Sequence, residues 1–271
     1  QIQKAWRGER PQDGRFREFL QCDIDVVDTR PLPSHFDAEI PIIMHEAIAA
    51  IGAGPLTTRI NNRKILEGFY LGLGVSDTTN IIRIIDKLDK IGADGVATLL
   101  YNELELSATT TDKILNLATI NGSGGIVINQ IQDLDVRSDL LDEGLNELEF
   151  VIHQLEKCKN GTFVVDMSIA RGLAYYTGTV YESRFTDYPD FPTICGGGRY
   201  DNLVGDFVNK KLPGIGISIG LTRIFAKLMK EGKIKVTQKT PTEILVVHSQ
   251  NASYDFIKDT ANLLRSRGFN V

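Results

Sequence analysis

The stretch Gly214–Gly220 constrains this chain more than any other segment. Read as a strand, it sorts its residues onto two unlike faces, because successive side chains point to opposite sides of a sheet. Ile215, Ile217 and Ile219 fall on one face, ready for a core. Gly214, Gly216, Ser218 and Gly220 fall on the other, which is nearly bare. A bare sheet face leaves room for a flat ring or a tightly packed helix. The residues Leu221-Thr222-Arg223 then open a predicted helix over about 221–230. Arg223 sits near the positive end of that helix, a position that suits phosphate. The glycines do not form a dinucleotide fingerprint, since G-x-G-x-x-G needs glycine where Ile219 stands. No strand-helix-strand unit with a later ribose-binding acid follows either.

Three other segments carry possible chemistry. Residues 1–27 read as two strands joined by the turn Arg10-Pro11-Gln12-Asp13-Gly14. Four arginines fall in the eleven positions from Arg7 to Arg17, and a hairpin lets Arg7 and Arg17 converge on one anion. The second strand puts Phe16, Leu20, Cys22, Ile24 and Val26 on one face. The other face holds Arg15, Arg17, Phe19, Gln21, Asp23 and Asp25. Gln21 and Asp25 on that face suit an ammonium or a polar side chain. On charge alone, the solvated face of an amphipathic hairpin is the favoured reading. In Arg171-Gly172-Leu173-Ala174-Tyr175-Tyr176, an arginine beside glycine can approach a ligand closely, and two tyrosines offer one ring for packing and one hydroxyl for binding. An ordinary aromatic strand accounts for the same residues. The run Gly196-Gly197-Gly198 after Cys195 suits a backbone that must approach a ligand or another strand, with a flexible loop as the plainer alternative.

The order of predicted elements divides the chain. Residues 1–75 open with the hairpin and continue through a helix over 35–52 with Ser34 as its cap, a strand at Thr57–Ile60 and a helix at Arg63–Leu71. Residues 76–158 are helical in texture, with segments near Ser76–Leu88, Ala93–Leu104, Thr111–Ala118 and Leu140–Leu155. They read as an insertion. Strand texture returns over 159–232, at Thr162–Val165, Thr177–Arg184, Thr193–Cys195 and Gly214–Gly220. Residues 233–242 read as a linker. The tail, 243–271, reads as a strand at Ile244–His248, a helix near Tyr254–Arg267 and the start of another strand. One β-α unit cannot bury its own apolar face, so the expectation is a chain that stops inside a further α/β domain.

Composition narrows the class. At 271 residues, with 42% hydrophobic and 24% charged residues, a sizeable core is possible and disorder is not expected. No apolar run of about 18 residues predicts a membrane span, and the first ten residues do not read as a secretory signal. The three cysteines, Cys22, Cys158 and Cys195, are scattered, which argues against a disulfide framework or a zinc site and for a reducing, cytosol-like compartment. A formal net charge of −5 does not favour nonspecific nucleic-acid binding, though a local basic groove on an acidic protein still accommodates RNA.

Taken together, these segments resemble the class II aminoacyl-tRNA synthetases, and the histidyl-tRNA synthetases in particular. Arg7-Gly8-Glu9 through Asp25 resembles motif 2 in its form R-x-E-R-P-Q-x-G-R-x-R-E-F-x-Q-x-D-x-D. Gly214 to Arg223 resembles motif 3. Arg171 to Gly178 is similar to the signature R-G-L-D-Y-Y-T-G, and Cys195 to Asp201 matches C-G-G-G-R-Y-D. The resemblance covers essentially the whole chain. It implies an α+β fold: a mostly antiparallel sheet flanked by helices, with a helical insertion and the start of a C-terminal anticodon-binding domain. It implies ATP-dependent ligation of histidine to its tRNA through a histidyl-adenylate, in a cytoplasmic homodimer with no membrane or DNA partner. Arg7, Glu9, Arg15 and Arg223 would bind ATP. Gln21, Asp25, Arg171, Tyr175 and Tyr176 would bind histidine, with Asp25 facing its ammonium. Arg171 and Arg7 would be catalytic, and Mg2+ would arrive on the ATP phosphates, with no fixed protein metal site. Ala174 replaces the signature's aspartate and Thr222 stands where motif 3 commonly has glutamate. Motif 1 and the upstream histidine loop are absent from this sequence. A synthetase-like regulatory subunit of histidine biosynthesis is the alternative, and retention of Arg7, Arg15, Arg171 and Arg223 argues against it.

Overall fold

The computed structural model describes residues 1–8, 10–158, 162–170, 175–203, 210–236 and 238–271. Its strands are β1 (Ile2–Trp6), β2 (Glu18–Val27), β3 (Leu56–Asn62), β4 (Asn121–Gly122), β5 (Thr162–Asp166), β6 (Thr179–Phe185), β7 (Cys195–Tyr200) and β8 (Gly214–Ile219). Its helices are α1 (Phe36–Ala50), α2 (Arg63–Gly72), α3 (Thr78–Ile85), α4 (Leu88–Leu104), α5 (Ala108–Thr119), α6 (Gly124–Gln132), α7 (Asp139–Leu155), α8 (Leu221–Lys230) and α9 (Tyr254–Ser266). The chain divides into two compact units, Gln1–Lys227 and Leu228–Val271.

In the first unit the described strands form one sheet in the order β1-β2-β8-β7-β6-β3-β5-β4. Every pairing is antiparallel except β3 with β5, so the expected mostly antiparallel sheet flanked by helices is what forms. The predicted hairpin is present. Gly14 turns it at φ 71°, Arg15 N–H donates to Gln12 O at 2.8 Å, and Arg7 N–H donates to Arg17 O at 2.9 Å. Ile215, Ile217 and Ile219 are buried, as the alternation required.

Helix α1 is held to the sheet by two linked devices. Pro41 lies inside it and has no N–H, so the carbonyl of Asp37, four residues earlier, loses its helical partner. The buried Tyr181 hydroxyl of β6 donates to that carbonyl instead. The Arg199 guanidinium of β7 then clasps the start of α1. It donates to both carboxylate oxygens of Asp37 and to the carbonyls of Leu32 and Pro33. The predicted Ser34 cap is not used. The cap position is His35, which makes no side-chain bond, and Arg199 satisfies the approach to the helix from across the sheet.

The helical segment expected near Ser76–Leu88 forms as α3 and buries an apolar stripe of Ile81, Ile82, Ile84 and Ile85. Gly92 breaks the helical conformation inside α4 at φ 70° and ψ 176°, so the regular helix starts at Ala93, where the pattern placed it. Helix α7 packs along α2, and Ser138 both caps α7 and donates to Gly68 O of α2 at 2.8 Å. Helix α6 and strand β4 were not anticipated. Asn121 and Gly122 pair with β5, a contact that no local pattern announces.

Two strand expectations need correction. The strand placed at Thr193–Cys195 instead runs Cys195–Tyr200, straight through the three glycines. Those glycines are stabilised by neighbours on both sides, β6 and β8, rather than by their own propensity. In the second unit, Ile244–His248 is not a strand. Glu243 and Ile244 donate to Asn270 O, but no other described strand of that unit pairs with the segment, and Leu245 and Val247 are 80% and 82% exposed. Helix α9 forms as expected, capped by Ser253, which accepts from Phe256 N–H at 3.2 Å. No helix among the described residues is long and apolar enough to cross a membrane, and the three cysteines are free thiols.

The Arg199–Asp37 pair is buried, so removing one partner leaves an unpaired charge in the core. Arg199→Ala is expected to lower the unfolding free energy by about 3–5 kcal/mol. Urea unfolding followed by far-UV circular dichroism measures this, and a loss below about 1 kcal/mol would contradict the role given to the clasp.

Candidate functional site

The bare face read from the sequence is the floor of a site. Strand register aligns Asp25 with Gly216 and Gly216 with Gly198 in one row. It aligns Asp23 with Ser218 and Ser218 with Gly196 in the next. Glycine is required at Gly216 and Gly198. A Cβ on Gly216 would collide with Asp25 Oδ1. A Cβ on Gly198 would lie 3.0 Å from the Tyr176 ring and 2.5 Å from Thr179 O.

Two adjoining cavities open over this floor and share Gly196 and Ser218. The larger, about 410 Å³, is lined by Arg7, Arg15, Arg184 and Arg223, with Phe19 and Gln21. Asp190 is the one carboxylate among its described lining residues. Four guanidinium groups against one acid make a cavity suited to a phosphate-rich anion, and its volume falls within the range of small-molecule sites. The smaller, about 160 Å³, is lined by Asp23, Asp25, Tyr175, Tyr176 and Tyr200 over Gly196, Gly216 and Ser218. Its two carboxylates and three phenols suit a cationic, hydrogen-bonding ligand.

The arginine side chains of the larger cavity are placed by the hairpin, β6 and α8. The Arg7 guanidinium sits 5.2 Å over the ring of Phe19, which lies diagonally across the hairpin and is paired in register with Ala5. Arg223 donates to the carbonyl of Gly14, at the hairpin turn, and to that of Thr193, at the entry to β7. The adjacent Thr222 accepts Leu20 N–H at 2.7 Å. Helix α8 therefore grips the hairpin at two points, and the threonine that departs from the motif is one of them. Behind the wall, the buried Glu182 carboxylate accepts from Thr193 and Arg59, and Arg59 also donates to Asp166 at 2.9 Å. Arg184 lies 3.5 Å from the same carboxylate.

In the smaller cavity, the Tyr200 hydroxyl donates to Asp25 Oδ1 at 2.7 Å. Tyr175 and Tyr176 meet at 4.4 Å between ring centroids, inclined by 53°. Burial raises the Tyr176 phenol well above its ordinary value, and the hydrogen bond with Tyr175 adds to the rise. Burial likewise raises Tyr200, reinforced by its bond to Asp25. Both phenols stay neutral at physiological pH and can donate hydrogen bonds.

Of the residues singled out from the sequence, Arg7, Arg15, Gln21 and Arg223 come together in the larger cavity, and Asp25, Tyr175 and Tyr176 in the smaller. Glu9 and Arg171 lie outside the described residues, as does Ala174. Arg17 does not converge with Arg7 on one anion: it is exposed and lines neither cavity. Sequence reasoning gave no role to Asp23, Phe19, Tyr200 or Arg184. Alternation already put Asp23 and Phe19 on the face of Gln21 and Asp25, so that signal was available. Tyr200 lay inside the motif Cys195 to Asp201 without being given a role, and Arg184 carried no signal, because the neighbours of both are distant in sequence.

Comparison with known proteins follows the same lines. Residues 2–224 match the family model described as Histidyl-tRNA synthetase. A histidine--tRNA ligase of Thermobifida fusca is 51% identical over 271 residues, covering 100% of this chain and 62% of that protein. One from Clostridium tetani is 46% identical over 268 residues, covering 97% of this chain and 60% of that protein. The crystal structure of histidyl-tRNA synthetase from Nostoc sp. PCC 7120 superposes with a TM-score of 0.80 at 39% identity, over 100% of this chain and 63% of that one. The chain spans about 60% of the length of these relatives.

The tyrosine environments make a spectroscopic expectation. Burial raises Tyr70, Tyr176, Tyr181 and Tyr200 in the folded protein. A raised folded value means that the folded state holds its protons more tightly. These tyrosines therefore contribute full stability below the unfolded value near 10 and lose it as pH climbs toward their folded values. In an absorbance titration at alkaline pH, the four should ionise only together with unfolding. Ionisation of all tyrosines near pH 10 with the far-UV signal intact would contradict the geometry.

Proposed function

The chain belongs to the histidyl-tRNA synthetase family, and from that premise we propose that the protein carrying it joins histidine to its tRNA in two steps. Histidine and ATP first form histidyl-adenylate and release pyrophosphate. The histidyl group then passes to the terminal ribose of the tRNA. The observation that carries this reading is the pair of adjoining cavities, one lined by arginines and one by acids and tyrosines, meeting at Gly196 and Ser218. Such a pair holds a nucleotide and a small cationic amino acid with their reacting groups at the junction.

ATP occupies the larger cavity on this reading. Arg7 holds the α-phosphate, Arg15 and Arg223 the outer phosphates, and Glu9 the adenine. A histidine carboxylate oxygen attacks the α-phosphorus and pyrophosphate leaves. The attacking group needs no general base, because it is already ionised at neutral pH. Charge that builds on the phosphate oxygens is stabilised by Arg7 and, by resemblance, by Arg171. Mg2+ bound to the ATP phosphates would offset part of their charge, and such a site would need few protein ligands. Asp190 is the carboxylate that the described cavity wall offers it.

Gln21 and Asp25 address opposite ends of the histidine. Four residues apart on one strand, they are separated by about 13 Å. Gln21 faces the cavity where the carboxylate reacts, and Asp25 lies among the tyrosines. The ammonium, two bonds from the reacting carboxyl carbon, belongs at the Gln21 end. Asp25, ordered by Tyr200, is then the acceptor for an imidazole N–H rather than for the ammonium, while Tyr175 and Tyr176 line the ring. Residues 76–158 form the helical insertion and 243–271 the start of the anticodon-binding domain. The whole works as a homodimer in the cytoplasm.

Histidine-dependent exchange of labelled pyrophosphate into ATP tests the reading, with the other amino acids as controls. Exchange with histidine alone is expected, and its absence from the folded full-length protein would favour the regulatory subunit. Asp25→Asn should weaken histidine binding by about 1.5–3 kcal/mol, seen as a raised histidine KM with the ATP KM unmoved. Arg171→Ala should abolish exchange while calorimetry still detects histidine binding. Lost binding with normal exchange would remove Arg171 from the chemistry.

A further inference from the structure

Asp23 lies between the two residues assigned to histidine and has no role in the reading above. Its Oδ1 accepts a hydrogen bond from Gln21 Nε2 at 2.8 Å. An ionised carboxylate only accepts, so it must face the NH2 end of the amide. A planar amide carries its oxygen on the opposite side, so Gln21 Oε1 is turned away from Asp23. Gln21 lines the larger cavity and Asp23 the smaller. Asp23 is aligned with Ser218, which lines both. The Gln21–Asp23 pair therefore stands at the junction.

The junction is also where the α-carbon of the amino acid must lie, with its carboxylate toward the arginines and its ring toward the tyrosines. The ammonium on that carbon offers only donors. An amide free to flip presents NH2 about as readily as oxygen, and NH2 has nothing to give an ammonium. We infer that Asp23 is a positioning residue that fixes the Gln21 amide with Oε1 toward the α-ammonium of the substrate, so that Gln21 selects ligands carrying that group. This rests on the proposed ligase reading. It goes beyond it by giving the recognition of the ammonium to a pair of side chains, one of which never needs to touch the ligand.

The test uses pyrophosphate exchange by the full-length protein, with histidine and ATP varied separately. Binding of 3-(imidazol-4-yl)propanoate, which lacks the amino group, is measured as competitive inhibition. Asp23→Ala should raise the histidine KM by about tenfold or more, the effect of losing one hydrogen bond to a charged group. The ATP KM and the inhibition constant of the des-amino analogue should each move by less than about twofold. Asp23→Asn keeps an acceptor oxygen for Gln21 Nε2 and should restore most of the histidine affinity. Gln21→Ala combined with Asp23→Ala should be little worse than Gln21→Ala alone, because coupled residues are not additive. Should Asp23→Ala not fold, Asp23→Ser makes the same comparison.

Three results overturn the inference while leaving the ligase reading intact. They are an unchanged histidine KM in Asp23→Ala, equal weakening of histidine and the des-amino analogue, and an Asp23→Asn protein as impaired as Asp23→Ala. The second would mean a purely structural role, and the third that charge rather than orientation matters. A wild-type protein that shows no histidine-dependent exchange would remove both readings together.

Discussion

The close packing of β2, β8 and β7 is the constraint on which everything else rests. On the site face β8 and β7 carry only glycine and serine at Gly216, Ser218, Gly196 and Gly198, beside the Asp23 and Asp25 side chains of β2, and on its other face β8 carries three isoleucines. The apolar face ties the strands into the core through Ile215, Ile217 and Ile219, all buried. The bare face lets Asp25 lie flat over Gly216 and lets the Tyr176 ring lie over Gly198. Had either glycine a side chain, the acid or the ring would be lifted off the floor and the smaller cavity would fill. Glycine costs strand stability, roughly 0.5–1 kcal/mol each relative to alanine. That cost is sustained because the strands are interior to the sheet and paired on both sides.

Charge is sorted in the same economical way. The chain is acidic overall, with a formal net charge of −5, yet four arginines surround the larger cavity. Two come from the arginine-rich hairpin, and the other two, from β6 and α8, stand outside any run of basic residues. The acids that balance them stand in the neighbouring cavity, two residues apart on β2, or behind the wall at Glu182. Opposite charges therefore line two adjoining cavities. Net charge described the surface of this protein and not its site.

Local pattern was therefore enough for some parts and blind to others. The hairpin, the bare face of β8 and the stripe of α3 were readable because alternation and helical period are properties of consecutive residues. Strand β7 was not, since three glycines look like a loop until β6 and β8 are known to flank them. The expected strand at Ile244–His248 failed for the converse reason: its pattern is apolar, but a strand needs a partner, and no described residue of that unit provides one. Tyr200 and Asp25 are 175 residues apart, and only the fold brings the hydroxyl to the acid. Ser34 has the chemistry of a cap, but Arg199 arrives from across the sheet and takes over the end of the helix.

The junction between α8 and the hairpin shows why residues 200 positions apart behave as one device. Thr222 holds Leu20 N–H at 2.7 Å, and Arg223 holds the carbonyl of Gly14 at the turn. Gly14 reaches that position only because its φ is 71°, a conformation that side chains oppose. The guanidinium of Arg223 is thus aimed by the shape of a turn encoded far upstream, and the turn is in turn anchored by the arginine. Arg7 and Arg15 flank the same turn, so one tether sets the spacing of three cations around a single cavity. A substitution that alters the turn while leaving every charge in place would still misplace these cations. Geometry held by backbone carbonyls, and not the number of positive charges alone, sets where those charges stand.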